Sequence, residues 1–186
     1  MEDLSDDFLV KETKQGNTEA FAELVRRYQR KIYNTVLYFT GNHHDADDLA
    51  QETFMKAFKF LKEFKQKSNF YTWIYRISVN LSLNFLKKKK KEKGRVDFVE
   101  DYSYSGKAES SASSPEHYSL KKELEKKLKE AIDSLPLAYK ASFILVFFQG
   151  MTHDQAARVL QCSESTVSWR MHKARKILQT KLRPYT

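Results

Sequence analysis

The chain has 186 residues, room for one ordinary domain or two small ones, with only 5 Gly, 3 Pro and 1 Cys. So few turn formers beside abundant Lys, Glu, Leu, Ala and Phe argue against a turn-rich β fold, and a lone Cys162 excludes an intrachain disulfide or a Cys/His zinc site at usable spacing. The net charge of +9 is segregated: 8 basic and 11 acidic residues over 1–61, 11 and 2 over 62–95, 1 and 5 over 96–120, 13 and 6 over 121–186.

Two basic blocks thus flank an acidic one. That is the pattern of two contacts on one polyanion, with an acidic surface kept for another partner. The opening Met-Glu-Asp-Leu-Ser-Asp-Asp is acidic and has no signal-peptide character. The longest apolar run, Ala141–Phe148, is interrupted by Ser142 and far too short to span a membrane. The expectation is a soluble, cytoplasmic chain.

Asp6–Gln15 is predicted as a short helix ended by Gly16. Thr18–Phe39 follows, with Phe21, Leu24, Val25, Tyr28, Ile32 and Val36 on one face and Gly41 beyond its end. Asp45–Phe64 repeats the pattern with Leu49, Phe54, Phe58 and Leu61. Ser68 is placed to cap a fourth helix running to about Lys91, with Trp73, Ile77, Leu81 and Phe85 inward. Residues 96–115 are acidic and serine-rich without an apolar period, which predicts a linker.

Beyond it, Tyr118–Leu135 is an amphipathic helix stopped before Pro136. Leu137–Gln149 is nearly all apolar and expected to be buried, and Gly150 leads onward. Thr152 and Gln155 form a capping box that opens a helix with Ala156, Ala157, Val159 and Leu160 on its apolar side. The period breaks at Gln161-Cys162, Ser163 caps again, and Val167, Met171, Ala174 and Leu178 form a second buried stripe. No strand signal competes. The predicted fold class is all-α: two small helical domains joined by a flexible acidic linker.

Three segments carry more than a fold. The helix from Asp45 stacks Asp45, Asp48 and Glu52 at spacings of three and four. Acids in a first turn are favoured by the helix dipole alone, and neither His43 nor His44, in the preceding loop, is spaced to complete a metal site. A protein-docking face fits better than catalysis.

The helix from Ser68 mixes Tyr71, Tyr75, Arg76, Asn80 and Asn84 with a lysine run from Lys87 to Lys91. Single-stranded nucleic acid is held by stacking platforms beside cationic tracks, and an extruded base needs amide donors and acceptors. The plain alternative makes the aromatics core and the lysines a solvated helix end. We read Trp73 and Phe85 that way, and the lysines beside Asn80 and Asn84 as a nucleic-acid surface.

Residues 152–178 divide like a helix-turn-helix: one side of the second helix is apolar, the other carries Ser165, Ser168, Trp169, His172, Lys173 and Lys176. Any helical hairpin in an all-α protein shares that division. The other basic block, on its own helix, tips the reading towards DNA.

Together these residues resemble the sigma factors of bacterial RNA polymerase, in the extracytoplasmic-function (ECF) group. The family's Asp-Ala-x-Asp-Leu-x-Gln-Glu-x-Phe stands here as Asp45 to Phe54. Its Phe-x-Thr-Trp-Leu-Tyr-Arg-Ile-x-x-Asn stands as Phe70 to Asn80, with Ile74 for Leu. Its Ser-Leu-Pro stands as Ser134-Leu135-Pro136, and its closing residues as Thr166-Val167, Arg170 and Ala174-Arg175. Each motif alone is weak; four in order with the right gaps are specific.

The resemblance implies a region 2 domain at 8–92, a linker at 93–117 and a region 4 helix-turn-helix domain at 118–183. It implies docking on the β′ clamp coiled coil of core RNA polymerase through Asp45, Asp48, Leu49, Gln51, Glu52, Phe54 and Leu61, and on the β flap. It implies melting and holding of the promoter −10 element by Phe64, Tyr71, Tyr75, Arg76, Ile77, Asn80, Asn84, Lys87 and Lys88. The −35 element would be read by the helix-turn-helix at 153–172 and the following turn, through Ser165, Thr166, Ser168, Trp169, Arg170, His172, Lys173, Arg175 and Lys176. Such a protein catalyses nothing, holds no cofactor or metal, and can be partnered by an anti-sigma factor.

The chain departs from the family at Gln161 and Ser165, where Gly is usual, at Ser168-Trp169, where Lys-Ser is usual, and at Gln155, where Glu is usual. The alternative is a stand-alone helix-turn-helix regulator, which would leave the aromatic, amide and lysine helix without a role. A nucleic-acid-processing enzyme would need a nucleophile, metal or nucleotide motif that the chain lacks.

Overall fold

The structure, a computed structural model, describes residues 4–65, 68–93 and 115–183. Among them every regular element is helical. Ser5 caps α1 (Asp6–Lys14), with Asp6 and Asp7 in its first turn where the dipole favours acids. Asn17 accepts from the Glu19 and Ala20 amides to start α2 (Thr18–Thr40), which ends at Gly41 with φ 69°. That left-handed residue turns the chain at once into α3.

α3 (His43–Phe60) begins two residues earlier than the spacing predicts, because Asn42 is its cap, accepting from the Asp45 amide at 3.0 Å. His43 and His44 are therefore helical rather than loop. Its inward face is Ala46, Leu49, Ala50, Thr53 and Ala57, and Phe58 stays outside. Small residues there let α3 approach α2 closely; the helix then tightens into a 3₁₀ turn at Leu61–Glu63.

α4 (Phe70–Lys93) is capped by Asn69, whose side chain accepts from the Thr72 amide at 2.9 Å, rather than by Ser68. Its buried residues include Phe70, Ile74, Tyr75, Ser78, Val79, Leu81 and Ser82, while Trp73, Ile77 and Phe85 are half-buried. The apolar stripe is turned by about one residue from the expected one. Ser78 and Ser82 can lie inside because each hydroxyl donates to a carbonyl of its own helix, those of Tyr75 and Ser78. α1, α3 and α4 all pack on α2, around Leu24, Ile32, Val36, Phe39, Leu61, Phe70 and Ile74. Each such side chain contributes roughly 1.5–3 kcal/mol by leaving water.

The linker expected at 93–117 lies mostly outside the described residues, which resume at 115. α5 (Pro115–Asp133) starts and stops before the predicted bounds. α6 (Leu137–Phe143) is much shorter than the apolar run, because the helix widens to a π turn at Ile144–Phe148, closed by the Gln149 amide on the Ile144 carbonyl at 3.1 Å. α7 (His153–Leu160) carries the complete Thr152–Gln155 capping box. Gln161 then takes φ 53°, ψ 46°, and Ser163 caps α8 (Glu164–Leu182).

Val167, Met171, Ala174 and Leu178 are buried, as their spacing predicts, and α5, α6 and α7 pack against α8. The two helical groups also touch. α7 lies on α4, and the π turn lies on α2.

Candidate nucleic-acid and protein-docking surfaces

On α3 the three stacked carboxylates do not form one patch. Asp45 turns towards α4 and pairs with Lys89 at 3.3 Å, both side chains about three-quarters covered. Asp48 pairs with His44 at 3.1 Å and Glu52 with Lys56 at 3.0 Å, both in the open. His44 titrates above its usual range, through a hydrogen bond with its own main chain and then the Asp48 charge. Leu49 and Leu61 (1 % exposed) belong to the domain's own core, and Phe54 is half-buried. They support this helix rather than present themselves.

What the outer face offers instead is Met55, 72 % exposed, with Phe58 beyond it. Met55 follows Asp48 by seven residues and Gln51 by four, so these share a side with Glu52. That spacing is visible in the sequence, whereas the family resemblance points to Phe54 and Leu61 instead.

On α4 the candidate residues split by depth. Phe64 is buried in the loop before the helix, stacked on Trp73 with ring centroids 4.8 Å apart, and its carbonyl accepts from Lys14. Tyr75 is 1 % exposed and donates to the Gln149 side chain at 3.2 Å. Burial pushes its phenol pKa up, and that of Tyr71, which packs against it with centroids 4.7 Å apart. Arg76 is half-buried; its guanidinium donates to the Arg158 carbonyl of α7 at 2.9 Å. Asn80, Asn84, Lys87 and Lys88 are exposed and, with half-buried Ile77, follow one another at helical spacing. A polar and cationic strip therefore runs down α4 from an aromatic, covered beginning.

On α8 the outer side carries Ser165, Ser168, Trp169, His172, Lys173, Arg175 and Lys176, all exposed. Thr166 belongs to the cap: its amide and hydroxyl both bond Ser163. Arg170 is half-buried, its guanidinium 3.7 Å from the sulfur of Cys162, a partly exposed turn residue. Trp169, 52 % exposed, meets the edge of Tyr139 from α6 at 5.6 Å, and the Lys173 ammonium lies 5.7 Å from its ring. Tyr139 carries no signal of its own in the sequence, because nothing at that level brings α6 beside the front of α8.

Among the described residues no group of His, Cys, Asp and Glu could hold a metal, and no helix is long and apolar enough to cross a membrane.

The described residues thus form a four-helix platform with a polar strip and a helix-turn-helix with an open front. The family models for Sigma-70 region 2 and Sigma-70, region 4 match residues 24–92 and 125–178. The chain is 34 % identical over 186 residues to the ECF RNA polymerase sigma-E factor of Escherichia coli (strain K12), covering 98 % of this chain and 97 % of that one. It is 32 % identical over 187 residues to the protein of the same description from Haemophilus influenzae, covering 98 % of both.

Its fold is similar to that of CnrH, solved in complex with the cytosolic domain of CnrY (TM-score 0.70, 23 % identity, 97 % and 99 % coverage). It is similar also to the sigma factor RpoE of Bartonella quintana, solved with the anti-sigma factor NepR (TM-score 0.68, 23 % identity, 88 % and 96 % coverage). The chain belongs to the ECF group of the sigma-70 family. It is not an enzyme; it binds core RNA polymerase and directs it to promoter DNA.

Proposed function

We propose a residue-level division of that work. A region 2 domain at 8–92 docks on the β′ clamp coiled coil through Asp48, Gln51, Glu52 and Met55 of α3. It holds the melted −10 strand along Ile77, Asn80, Asn84, Lys87 and Lys88 of α4, with Tyr71, Tyr75 and Arg76 at the head of the strip. A region 4 domain at 118–183 contacts the β flap and reads the −35 element with Ser165, Ser168, Trp169, His172 and Lys173. Asp45, Leu49, Phe54, Leu61, Phe64 and Thr166 position these surfaces from within, and Arg170, Arg175 and Lys176 serve the DNA backbone or the polymerase.

The supporting observation is the clean division of α8, whose buried stripe faces α6 and α7 while its front carries donors, a cation and an indole. The work is cytoplasmic, where polymerase and promoter meet. An anti-sigma factor is a further partner, as for the Bartonella quintana relative.

The test is selection of a randomised promoter library by holoenzyme reconstituted with this chain, followed by run-off transcription. Two shared elements at a fixed spacing are expected in the selected promoters. Enrichment of a single element by the chain without polymerase would favour the stand-alone regulator instead.

A further inference from the structure

The 3₁₀ turn at Leu61–Glu63 delivers the chain to Phe64, whose amide is spent on the Leu61 carbonyl at 3.1 Å. Phe64 itself is extended, with φ −66° and ψ 107°, so its own carbonyl has no place in a helical ladder. A covered carbonyl of that kind needs a partner from elsewhere in the chain. The partner comes from α1: the Lys14 ammonium donates to it and lies 5.8 Å from the centroid of the Phe64 ring. A lysine in the last turn of a helix ordinarily answers that helix's own carbonyls and dipole. Lys14 crosses to another segment instead.

The helix that carries Lys14 is fixed by other means. Asp6 accepts from the Tyr28 hydroxyl and, at 3.2 Å, from the Arg27 guanidinium, while Leu9, Val10 and Thr13 are buried. None of these contacts involves the lysine. It stands on a fixed post.

On the far side, the buried Phe64 ring stacks on Trp73 with 30° between the planes. Trp73 in turn meets Phe70, the first residue of α4, with centroids 5.9 Å apart, and Asn69 caps the same turn. The chain entering α4 is thus held at Asn69 by its own cap and at Phe64 by α1.

We propose that Lys14 is a positioning residue for promoter opening: by holding the Phe64 carbonyl it keeps the Phe64 ring on Trp73, and so fixes the aromatic head of the α4 strip along which a melted strand is laid. Its role in opening rests on the reading of α4 given above; the brace itself does not. A hydrogen bond from a charged donor is stronger than a neutral one, and its loss would leave a covered carbonyl unpaired. A head that is in place for only about one-tenth of the molecules lowers apparent strand affinity about tenfold.

The experiment compares the parent with Lys14→Met, which keeps the length of the side chain but removes the donor, and with Lys14→Arg, which keeps a charged donor. Lys11→Met removes an exposed charge from the same helix and serves as the control. The brace is read first in the free chain. The protein has two tryptophans, so in a Trp169→Phe background Trp73 emits alone. Lys14→Met is expected to red-shift that emission and raise its quenching by acrylamide, with helical circular dichroism unchanged. Emission and quenching equal to the parent's would show that Phe64 stays on Trp73 without the lysine, and would overturn the brace.

Promoter opening is then read in holoenzyme, with the natural Trp169, by permanganate footprinting. Lys14→Met is expected to lower opening about tenfold at unchanged core-polymerase affinity and unchanged initial promoter binding. Lys14→Arg should recover most of the opening, and Lys11→Met should open as the parent does. A loss that arginine does not recover, or one matched by an equal loss of core binding, would make Lys14 a residue of stability alone and overturn its positioning role. Holoenzyme carrying Asn80→Ala separates the two readings. Normal opening with Asn80→Ala removes the α4 assignment itself, whereas impaired opening there beside normal opening with Lys14→Met removes only the part given to Lys14.

Discussion

Asn80 is exposed in the middle of the α4 strip, outside the packed interior of its domain. Asn80→Ala is therefore expected to leave thermal stability within about 0.5 kcal/mol of the parent, as surface substitutions do. Its effect belongs to the melted promoter, where an amide meets an extruded base. Permanganate footprinting should show weaker opening at unchanged initial promoter binding; equal opening would make Asn80 a bystander.

Trp169 and Lys173 differ in kind. The indole is held by Tyr139 at its edge and the Lys173 ammonium nearby, so its direction is set before DNA arrives. Trp169→Ala and Lys173→Ala are expected to change preference at single −35 positions, by about 1–3 kcal/mol for each base that is no longer read. Arg175→Ala should instead weaken all sequences alike and lower the salt slope. A selected library that keeps the parental logo with Trp169→Ala would mean that the indole only packs against Tyr139.

Gln161 bears the strain of the turn. A non-glycine residue at φ 53° is sterically taxed, and glycine is not. Gln161→Gly is expected to raise stability modestly or leave it level, since relief of the left-handed penalty opposes added unfolded-state freedom. A loss of more than about 1 kcal/mol in a denaturant melt would show that the Gln161 side chain stabilises the turn by itself.

At the scale of elements, α3 is the clearest case. Its Asp48, Gln51, Glu52 and Met55 share one outer side, and Asp45 does not. Asp48→Ala with Glu52→Ala should weaken core-polymerase binding, by about 2 kcal/mol or more for each desolvated charge and little for one on the rim. Asp45→Ala is expected to loosen the α3–α4 pairing with Lys89 and show in thermal stability before it shows in affinity. A titration in which the Asp48 and Glu52 changes have no effect would remove this face from the docking surface.

How legible these elements are depends on the kind of signal that marks them. Local chemistry marks ends well: Ser5, Gly16, Gly41, Thr152 with Gln155, and Ser163 all act at the positions their types favour. It fails where two caps compete, as at Ser68 and Asn69, or where a histidine pair looks like loop and Asn42 caps ahead of it. Hydrophobic spacing places the α8 stripe correctly because its outward residues are almost all polar. On α4 it misleads. Aromatics occur on every side, and the true interior includes Ser78 and Ser82, which only their internal hydrogen bonds make tolerable there. For the same reason Tyr75 reads in sequence as an exposed stacking platform and lies buried in the structure.

At the scale of the molecule, reach is the governing quantity. Residues 94–114 join the two domains, and 21 residues fully drawn out extend at most roughly 70–75 Å. With the breadth of the domains added, that suffices for both promoter elements. Removing ten of these residues would leave at most about 40 Å. Such a deletion is expected to keep core binding through α3 and lose initiation at promoters that need both elements. Run-off transcription at native and shortened element spacing checks this; full activity of the shortened chain at native spacing would contradict it.

The π turn at Ile144–Phe148 sets the angular phase of the residues beyond it. One extra residue in a turn offsets all later side chains by about 100° from where an unbroken α-helix would aim them. Tyr139, Phe143 and Ile144 lie before or at the offset and serve the C-terminal domain's own packing around α8. Phe148 and Gln149 lie after it and address Tyr38 and Tyr75 of the other domain. A single apolar run thus serves two masters in sequence, first the interior of one domain and then the flank of another. The run can drift in composition while remaining hydrophobic, but not in length: a one-residue deletion at Val146 would swing Phe148 and Gln149 out of line with both tyrosines while changing no side chain that makes the contact.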